Sequence, residues 1–514
     1  MTSSNGAAAA LKSVKHAAPH AKPPCLPSPP LPPLPPLKAP PLPSYIMLTH
    51  ASRLCHVPVL LLGLAACTVG PDYKKPDTTD ITPATWRWQA SAPRDAAPKG
   101  DWWKVFHDSE LDRLEALALA DNQNLRAAFS RIQQARANAR AAATDWLPNL
   151  GINSRNKRER TSAHLPTPVP VNIPSAQINT FSETLDLSYE LDLWGKVRRT
   201  FESARAQAES SAADFNNVLL TLTGDVAATY FQVRALDADL ASLRRTIALR
   251  EKSLGLIQQR FNAGTIQETD VARSKTEVAT AKAELADIKR QRQEASDNLS
   301  LLCGVPATHF TLAERPLRGS PPVIPAGLPA NVLERRPDVA AAERIVAARN
   351  ADIGVATAAY FPAISLTGQG GFLSKDTSSL FTTDSRVWSI GPSVSLPVTG
   401  FALIRANVRK KREAREEAIA SYRQAVLSAL KDVESTLAQT RYRAEQSAAQ
   451  NEALAAASQA ADLTRARYDS GATGYLEFLD AERTRLQTER QANQVTAQRF
   501  IATVRLVKAM GGGW

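Results

Sequence analysis

Cysteine is scarce: Cys25, Cys55, Cys67 and Cys303 are the only four in 514 residues. Their wide, irregular spacing excludes a disulfide framework and a CxxC metal site. Histidine is scarce as well, and beyond Cys67 only His107, His164 and His309 remain, too scattered to ligate a metal. The conspicuous apolar run, residues 57–64, falls far short of the ~20 residues that a spanning helix takes. Residues 1–66 hold five basic side chains and no acidic one, so the formal charge of +12 shrinks to +7 from Cys67 onward. That balance is modest, and the charges alternate in sign along long segments without the basic block of a nucleic-acid-binding tail. Proline is missing from residues 175–305 and again from 398 to the end.

Where proline is present, it is concentrated. Thirteen of the 34 prolines precede Met47, in a stretch that reads CLPSPPLPPLPPLKAPPLPS and builds no core. From Met47 the chain looks like a secretory signal: Arg53 is the basic flank, residues 57–64 the apolar centre, and Ala65-Ala66-Cys67 the cut site. Met47 is therefore read as the start, with residues 1–46 a Pro-rich extension outside the native protein and 47–66 a lipoprotein signal peptide. Leu64-Ala65-Ala66-Cys67 matches a bacterial lipobox, in which the cysteine is acylated and becomes the first residue. Thr68 follows, where lipoproteins kept in the inner membrane carry Asp, so the outer membrane is favoured. Cys67 is the expected lipidation site.

The remainder is a tandem duplication. RFNAGTIQETDVARSKTEVATAKAEL from Arg260 matches RYDSGATGYLEFLDAERTRLQTERQ from Arg467, an offset of about 207 residues. WLPNLGI matches YFPAISL in the same order, and YELDLWGKVRRTFESARAQAE matches VSLPVTGFALIRANVRKKREA. The expected organisation is a first repeat over 67–305, an inter-repeat segment over 306–336, and a second repeat over 337–514. Each repeat reads helix, strand, loop, strand, long helix, turn, helix.

Freedom from proline and abundance of Ala, Leu, Arg, Glu and Gln predict uninterrupted helices over residues 197–261 and 404–468. Each is ~100 Å long at 1.5 Å per residue. Leu219, Leu222, Val226 and Tyr230 mark a narrow apolar stripe at spacings of three and four. Such a stripe suits lateral packing in a bundle or in a hollow cylinder, and periodicity does not separate the two. Gly264 and Gly471 mark the turns where the long helices reverse, because glycine accepts the left-handed conformation that closes a last helical turn. Asp270 and Asp480 fall in the first turns of the return helices.

A second periodicity lies between the helices. In ETLDLSYELDLWG, Leu185, Leu187, Tyr189, Leu191 and Leu193 alternate with Asp186, Ser188, Glu190 and Asp192. VWSIGPSVSL does the same, and LGIN and ISLTG begin in phase, so four strands are expected per chain. Four strands neither fill a sandwich nor close a membrane barrel, which starts at about eight. Strands supplied by several chains resolve this, with apolar residues outside and polar ones lining water. TGQGGF lacks the last glycine of a dinucleotide-binding loop, Leu373 standing there instead, and it sits in a strand.

Ala66-Cys67 followed by VGPDYKKP, DWWKVFHDSELDRLEALALADNQNL at the first helix, ELDLWGKVRR, the GVP and ERRPDV elements, and RYDSGATGYLEFLDAERT at the second turn together resemble the TolC-like outer-membrane efflux factors. The cysteine makes the chain similar to the OprM-like lipoproteins, the NodT-type branch, and the resemblance covers residues 67–510. It implies a mainly α fold with membrane β-structure: a trimeric outer-membrane efflux duct, with four strands per chain in a twelve-stranded β-barrel. That barrel would be continuous with a long periplasmic α-helical barrel, girdled by residues 306–337 and the chain ends. The implied function is the outer-membrane channel of a tripartite efflux system. Drugs or other toxic small molecules would pass from an inner-membrane pump, of the resistance-nodulation-division type, and a periplasmic adaptor to the exterior. No enzyme activity, nucleic acid or cofactor beyond the lipid on Cys67 is implied.

By the matching turn, Leu476, Glu477 and Asp480 would line a periplasmic constriction, three copies of each carboxylate forming a ring that favours cations. Asp270 and Tyr468 match positions that tether neighbouring helices in the closed state. Two departures stand out: the family often has Asp where Glu477 stands, and Thr473 replaces a basic residue found in some members. Two rival classes are a coiled-coil lipoprotein tethering envelope layers, which leaves the paired strands unexplained, and a periplasmic enzyme, for which no nucleophile and base are visible.

Overall fold

A computed structural model describes residues 68–88, 100–160, 162, 175–325 and 329–512. The Pro-rich extension, the signal segment, Cys67 and His164 lie outside the described residues. In chain order the first repeat forms α1 (Ser109–Asp121), α2 (Gln123–Thr144), β1 (Asn149–Arg160), β2 (Gln177–Glu190), α3 (Lys196–Asn262) and α4 (Glu268–Leu302). A short helix α5 (Pro329–Arg335) precedes the second repeat: α6 (Pro337–Ala358), β3 (Ala363–Ser374), β4 (Arg386–Ser395), α7 (Phe401–Asp469) and α8 (Tyr475–Ala509). The internal repetition is thus visible as repeated element order.

The long helices α3 and α7 contain 67 and 69 residues, slightly more than the sequence pattern implied. The shorter helices flanking each strand pair stack end to end. Asn122, the N-cap of α2, accepts from the Leu125 amide at 2.9 Å and donates to the Leu302 carbonyl at the end of α4 at 2.8 Å. Arg336 does the corresponding work before α6, donating to the Ala509 carbonyl at the end of α8 at 3.0 Å. Free carbonyls of one helix are therefore satisfied at the start of the next, and each repeat has one continuous helix beside one interrupted one.

The strand after the first loop ends earlier than alternation suggests. β2 stops at Glu190, and Asp192 caps α3 instead, accepting the Val197 and Arg198 amides at 3.0 Å each. Two amides at the helix start that have no partner within the helix are thereby satisfied by one carboxylate. β1 and β3, by contrast, extend to 12 residues each, well past LGIN and ISLTG, because the polar residues that follow remain in register with β2.

Two apolar clusters sit part-way along the long helices. One gathers Trp102, Trp103, Leu114, Leu222, Val226, Tyr230, Phe231, Leu299 and Phe500, and the other Trp86, Val339, Tyr422, Val426, Val433 and Leu506. Leu222, Val226 and Tyr230 of the predicted stripe are buried and Leu219 is half-buried. The inter-repeat segment is held there by a buried carboxylate: Asp237 pairs with Arg234 at 3.0 Å and Arg292 at 2.5 Å and accepts the Arg315 amide at 2.9 Å. Such a group fixes where a segment docks more than it adds stability, since desolvation offsets the attraction.

The strands form one antiparallel sheet in the order β1-β2-β3-β4. Register sorts its side chains. Leu150 and Ile152 stand opposite Leu187 and Leu185; Leu366 stands opposite Tyr189; Trp388 and Ile390 face Gly370 and Gly368; Val394 faces Ile364. All of these share one face, and Ile152 is 83% and Trp388 80% exposed. Asn149, Asn153, Ser182, Thr184, Asp186, Ser188, Thr367, Gln369, Ser389 and Ser393 occupy the other face. The apolar band extends over about four rows, ~20 Å at ~3.4 Å per residue. β1 and β4 are open edges.

Gly304, after α4, has φ +71, and a Cβ there would sit 2.6 Å from the carbonyl carbon of Asp121. Gly264 has a similar φ of +73 with open space around it. Gly264→Ala is therefore expected to cost only the left-handed penalty, ~1–2 kcal/mol, whereas Gly304→Ala must also push two stacked helices apart. Thermal unfolding followed by circular dichroism should show the larger fall in midpoint for Gly304→Ala.

Candidate functional site: the helix-reversal turns and the channel lining

The two reversals have matching backbones. In the first, the Gly264 amide reaches the Phe261 carbonyl at 2.8 Å and the Thr265 amide reaches Arg260 at 3.0 Å. In the second, Gly471 reaches Tyr468 at 3.1 Å and Ala472 reaches Arg467 at 2.8 Å. Gly471, at φ +78, takes the left-handed conformation that this double closure demands.

Tyr468 lies buried between the turns. Its ring stacks on Phe478 at 5.1 Å between centroids, and the Arg260 guanidinium sits 5.3 Å from its centroid, so it links the end of α3 to the start of α8. Burial pushes the Tyr468 and Tyr475 hydroxyls above their ordinary pKa. Asp270, in the first turn of α4, is 3.9 Å from Arg273, and among the described residues no hydrogen bond joins it to Tyr468.

Leu476, Glu477 and Asp480 are exposed on one face of the first turns of α8, while Phe478 and Leu479 are buried on the other. The Thr473 hydroxyl donates to Glu477 and holds its carboxylate by a hydrogen bond. Asp480 is 3.5 Å from Arg483.

Arg483 leads to residues that the sequence pattern did not reveal. Its guanidinium clasps Glu277 of α4, with Nε at 3.3 Å, and Glu277 is buried with Arg250 of α3 at 3.1 Å. The carboxylate holds the Arg483 guanidinium above its ordinary pKa, the hydrogen bond being the largest cause. Asp480, Arg483, Glu277 and Arg250 thus form a chain of charge across three helices. Farther along, Glu284 pairs with Arg490 at 3.2 Å, Ser242 donates to Glu489 at 2.7 Å, and Asn493 donates to Asp239 at 3.0 Å. Repeat comparison is blind to the clasp, because at the same offset Glu277 aligns with Thr484 and Arg483 with Thr276. The available signal was a charged residue at an inward position of each helix.

Among the described residues no cluster of His, Cys, Asp and Glu is arranged to hold a metal ion. TGQGGF lies within β3. The only free cysteine described, Cys303, is buried in the first apolar cluster, and burial pushes its thiol up to about 12, away from nucleophilic chemistry.

A two-faced sheet with open edges, joined to helices ~100 Å long, is the architecture of one subunit's share of an outer-membrane channel. The family model described as outer membrane efflux protein matches residues 114–305 and 328–512, and the chain belongs to that family of transport channels. It is 34% identical over 459 residues to the pyoverdine export outer membrane protein OpmQ of Pseudomonas aeruginosa, covering 88% of this chain and 95% of that one. It is also 34% identical to OprJ of the same organism over 464 residues, covering 89% and 95%. The outer-membrane channel OprN superposes with a TM-score of 0.79 at 32% identity, covering 87% of this chain and all of the other. The open state of the MtrE outer membrane channel of Neisseria gonorrhoeae gives 0.77 at 29% identity, over 87% and 98%. The mainly α fold with four membrane strands per chain is the fold of these channels.

The clasp makes a specific demand. Glu277→Ala leaves Arg250 buried without its carboxylate and frees Arg483 from α4. Backbone hydrogen exchange around residues 264–280 and 471–485 should speed up on the order of tenfold, while the strands exchange as before. Unchanged exchange at both turns would mean that the clasp does not hold the tip.

Proposed function

We propose that this chain is the exit duct of a tripartite efflux system, working as a homotrimer with a periplasmic adaptor and an inner-membrane pump. The observation that carries the reading is the open, two-faced sheet. Four strands leave β1 and β4 with unpaired backbone groups, which hydrocarbon does not tolerate. Pairing β4 of one copy with β1 of the next closes the sheet, and three copies supply twelve strands, within the range of membrane barrels. The polar face then lines a water-filled path and the apolar face meets lipid. The α3, α4, α7 and α8 helices carry the path through the periplasm.

Conduction is passive and needs neither enzyme chemistry nor a cofactor. The cargo is small molecules: named relatives export pyoverdine, and others serve toluene or antibiotic efflux pumps. A resistance-nodulation-division pump and an adaptor would hand such compounds over. Leu476, Glu477 and Asp480 line the narrow periplasmic end, with Tyr468 and Asp270 among the groups holding the turns. The Asp480–Arg483 pair connects the lining to the helix clasp, so opening the tip would require this chain of charges to rearrange.

Purified protein is expected to migrate as a heat-modifiable trimer and to conduct ions in planar bilayers with a cation preference that Asp480→Ala reduces. Solid particles without conductance would refute the duct. Retained selectivity in Asp480→Ala would remove that carboxylate from the lining.

Lipidation of Cys67 fits the position of the residues after it. The Val69 amide donates to the Trp194 carbonyl at 3.1 Å, and Asn350 donates to the Pro71 carbonyl at 2.8 Å. The first contact lies where β2 passes into α3, and the second reaches α6 about two turns before its strand-side end, so the segment after Cys67 runs beside the periplasmic rim of the membrane band. Acyl chains on Cys67 would therefore enter the inner leaflet beside the barrel, each buried methylene contributing ~0.8 kcal/mol. Cys67→Ser should abolish palmitate labelling in cells while the trimer still assembles, because the barrel anchors itself.

A further inference from the structure

The strands leave a set of cations that conduction does not use. Beyond the row of Ile152, Leu185 and Trp388, the apolar face continues away from the helices with Ser154, Glu183, Phe372 and Arg386, then Phe181, then Arg158 and Arg160. Arg158 and Arg160 share the parity of Leu150 and Ile152 along β1, so they point away from the lumen, whereas Arg155 and Lys157 share the polar face. This end of the strands is opposite to the helices and hence faces the outer leaflet.

In the stalk many guanidinium groups pair with carboxylates, as in Arg205–Glu209 at 3.0 Å and Arg441–Glu445 at 3.1 Å, while others, such as Arg405 and Arg412, form no ion pair among the described residues. Arg158 donates to Gln177 at 3.1 Å and Arg160 to Ser175 at 3.0 Å, both neutral partners. Among the described residues, none of Arg158, Arg160 and Arg386 forms an ion pair. The neighbouring carboxylate of the same face, Glu183, accepts the Ser154 hydroxyl at 2.5 Å, keeps its charge, and forms no ion pair with Arg386 among the described residues. Trp388 ends the aliphatic band, Phe372 stands level with Arg386 one row out, and Phe181 lies one row farther, so the three aromatics mark an interfacial girdle that includes Arg386 and lies below Arg158 and Arg160.

We propose that Arg158, Arg160 and Arg386 form an outward-facing belt that binds phosphate groups of the anionic glycolipid in the outer leaflet. Guanidinium forks suit phosphate oxygens, and with hydrogen-bond partners that are neutral the charges of Arg158 and Arg160 stay unpaired. The girdle below fixes the depth of the acyl chains, so the headgroup phosphates arrive at the height of the arginines. Arg386 stands just above the band and would meet phosphates at the headgroup base. Arg158 and Arg160, two and three rows farther out, would meet those on the outer sugars. In the closed barrel the belt repeats with each copy, surrounding the channel with fixed cations where the membrane is most anionic. The inference rests on the outer-membrane duct reading and adds a lipid-binding role to it.

The test compares the full trimer with Arg158→Gln/Arg160→Gln/Arg386→Gln and with the corresponding triple lysine variant. Native mass spectrometry counts bound glycolipid after titration with purified phosphorylated lipopolysaccharide, with its dephosphorylated form, and with inorganic phosphate as probes. The glutamine variant should bind phosphorylated glycolipid on the order of tenfold or more weakly, with lysine restoring much of the loss and added salt weakening the wild type. The dephosphorylated form should bind all variants alike, and inorganic phosphate should not compete at millimolar concentration. Equal binding of phosphorylated glycolipid by wild type and glutamine variant would overturn the belt. So would equal wild-type affinity for phosphorylated and dephosphorylated forms. Planar-bilayer conductance, read on the same samples, reports separately on the duct, since none of the three arginines faces the lumen.

Discussion

A backbone amide without a partner is costly in hydrocarbon, and this requirement governs the whole assembly. The sheet satisfies its two inner strands and leaves the outer edges of β1 and β4 open. Copies of the chain must meet edge to edge, and that joint sets the diameter of the barrel, hence the number of long helices that surround the continuing path. The burial of α3 is graded to match: it is enclosed on almost all sides over residues 222–247, where the connecting segments pack, and toward the turn only scattered positions such as Ser253 and Ile257 stay buried, as a helix in the wall of a hollow stalk requires. Apolar residues scattered around the helix would collapse the tube into a solid bundle.

Duplication answers the same geometric problem. A wall of long helices needs each chain to run down and return more than once, with both reversals at one level. Matching closures at Gly264 and Gly471 place those reversals alike, and end-to-end stacking through Asn122 and Arg336 lets interrupted helices match the length of continuous ones. Repeat symmetry does not extend to the clasp. Glu277 receives Arg250 and Arg483 in one helix group, and the positions aligned with Glu277 and Arg483 are both threonines.

Charge is used in three distinct ways along the chain. On the stalk it is largely neutralised by nearby partners of opposite sign, which keeps a long exposed surface soluble without strong fields. At the middle it is buried, as at Asp237, and positions a connecting segment. On the apolar face of the sheet it is confined to the rows beyond the aliphatic band, where Arg158, Arg160 and Arg386 stand without ion-pair partners among the described residues. The same residue type thus serves solubility, docking or attraction according to whether a counter-charge is near and whether water reaches it.

Local chemistry was sufficient for much of this. Alternation at Leu185, Leu187 and Tyr189, the proline-free runs, and the glycines of the two turns were legible in the amino-acid order, because strand faces, helix continuity and left-handed turns depend on residues a few positions apart. The family motifs extended that reading to the duct. The folded chain was needed for the rest. Asp192 proved to be a helix cap instead of a strand residue, β1 and β3 proved longer than their apolar starts, and the Arg250–Glu277–Arg483 clasp joined residues far apart in the chain. Which cations face outward also emerged only from strand register. Those features depend on which backbone groups are left unsatisfied and which charges meet across helices, and neither is determined until the distant segments have packed.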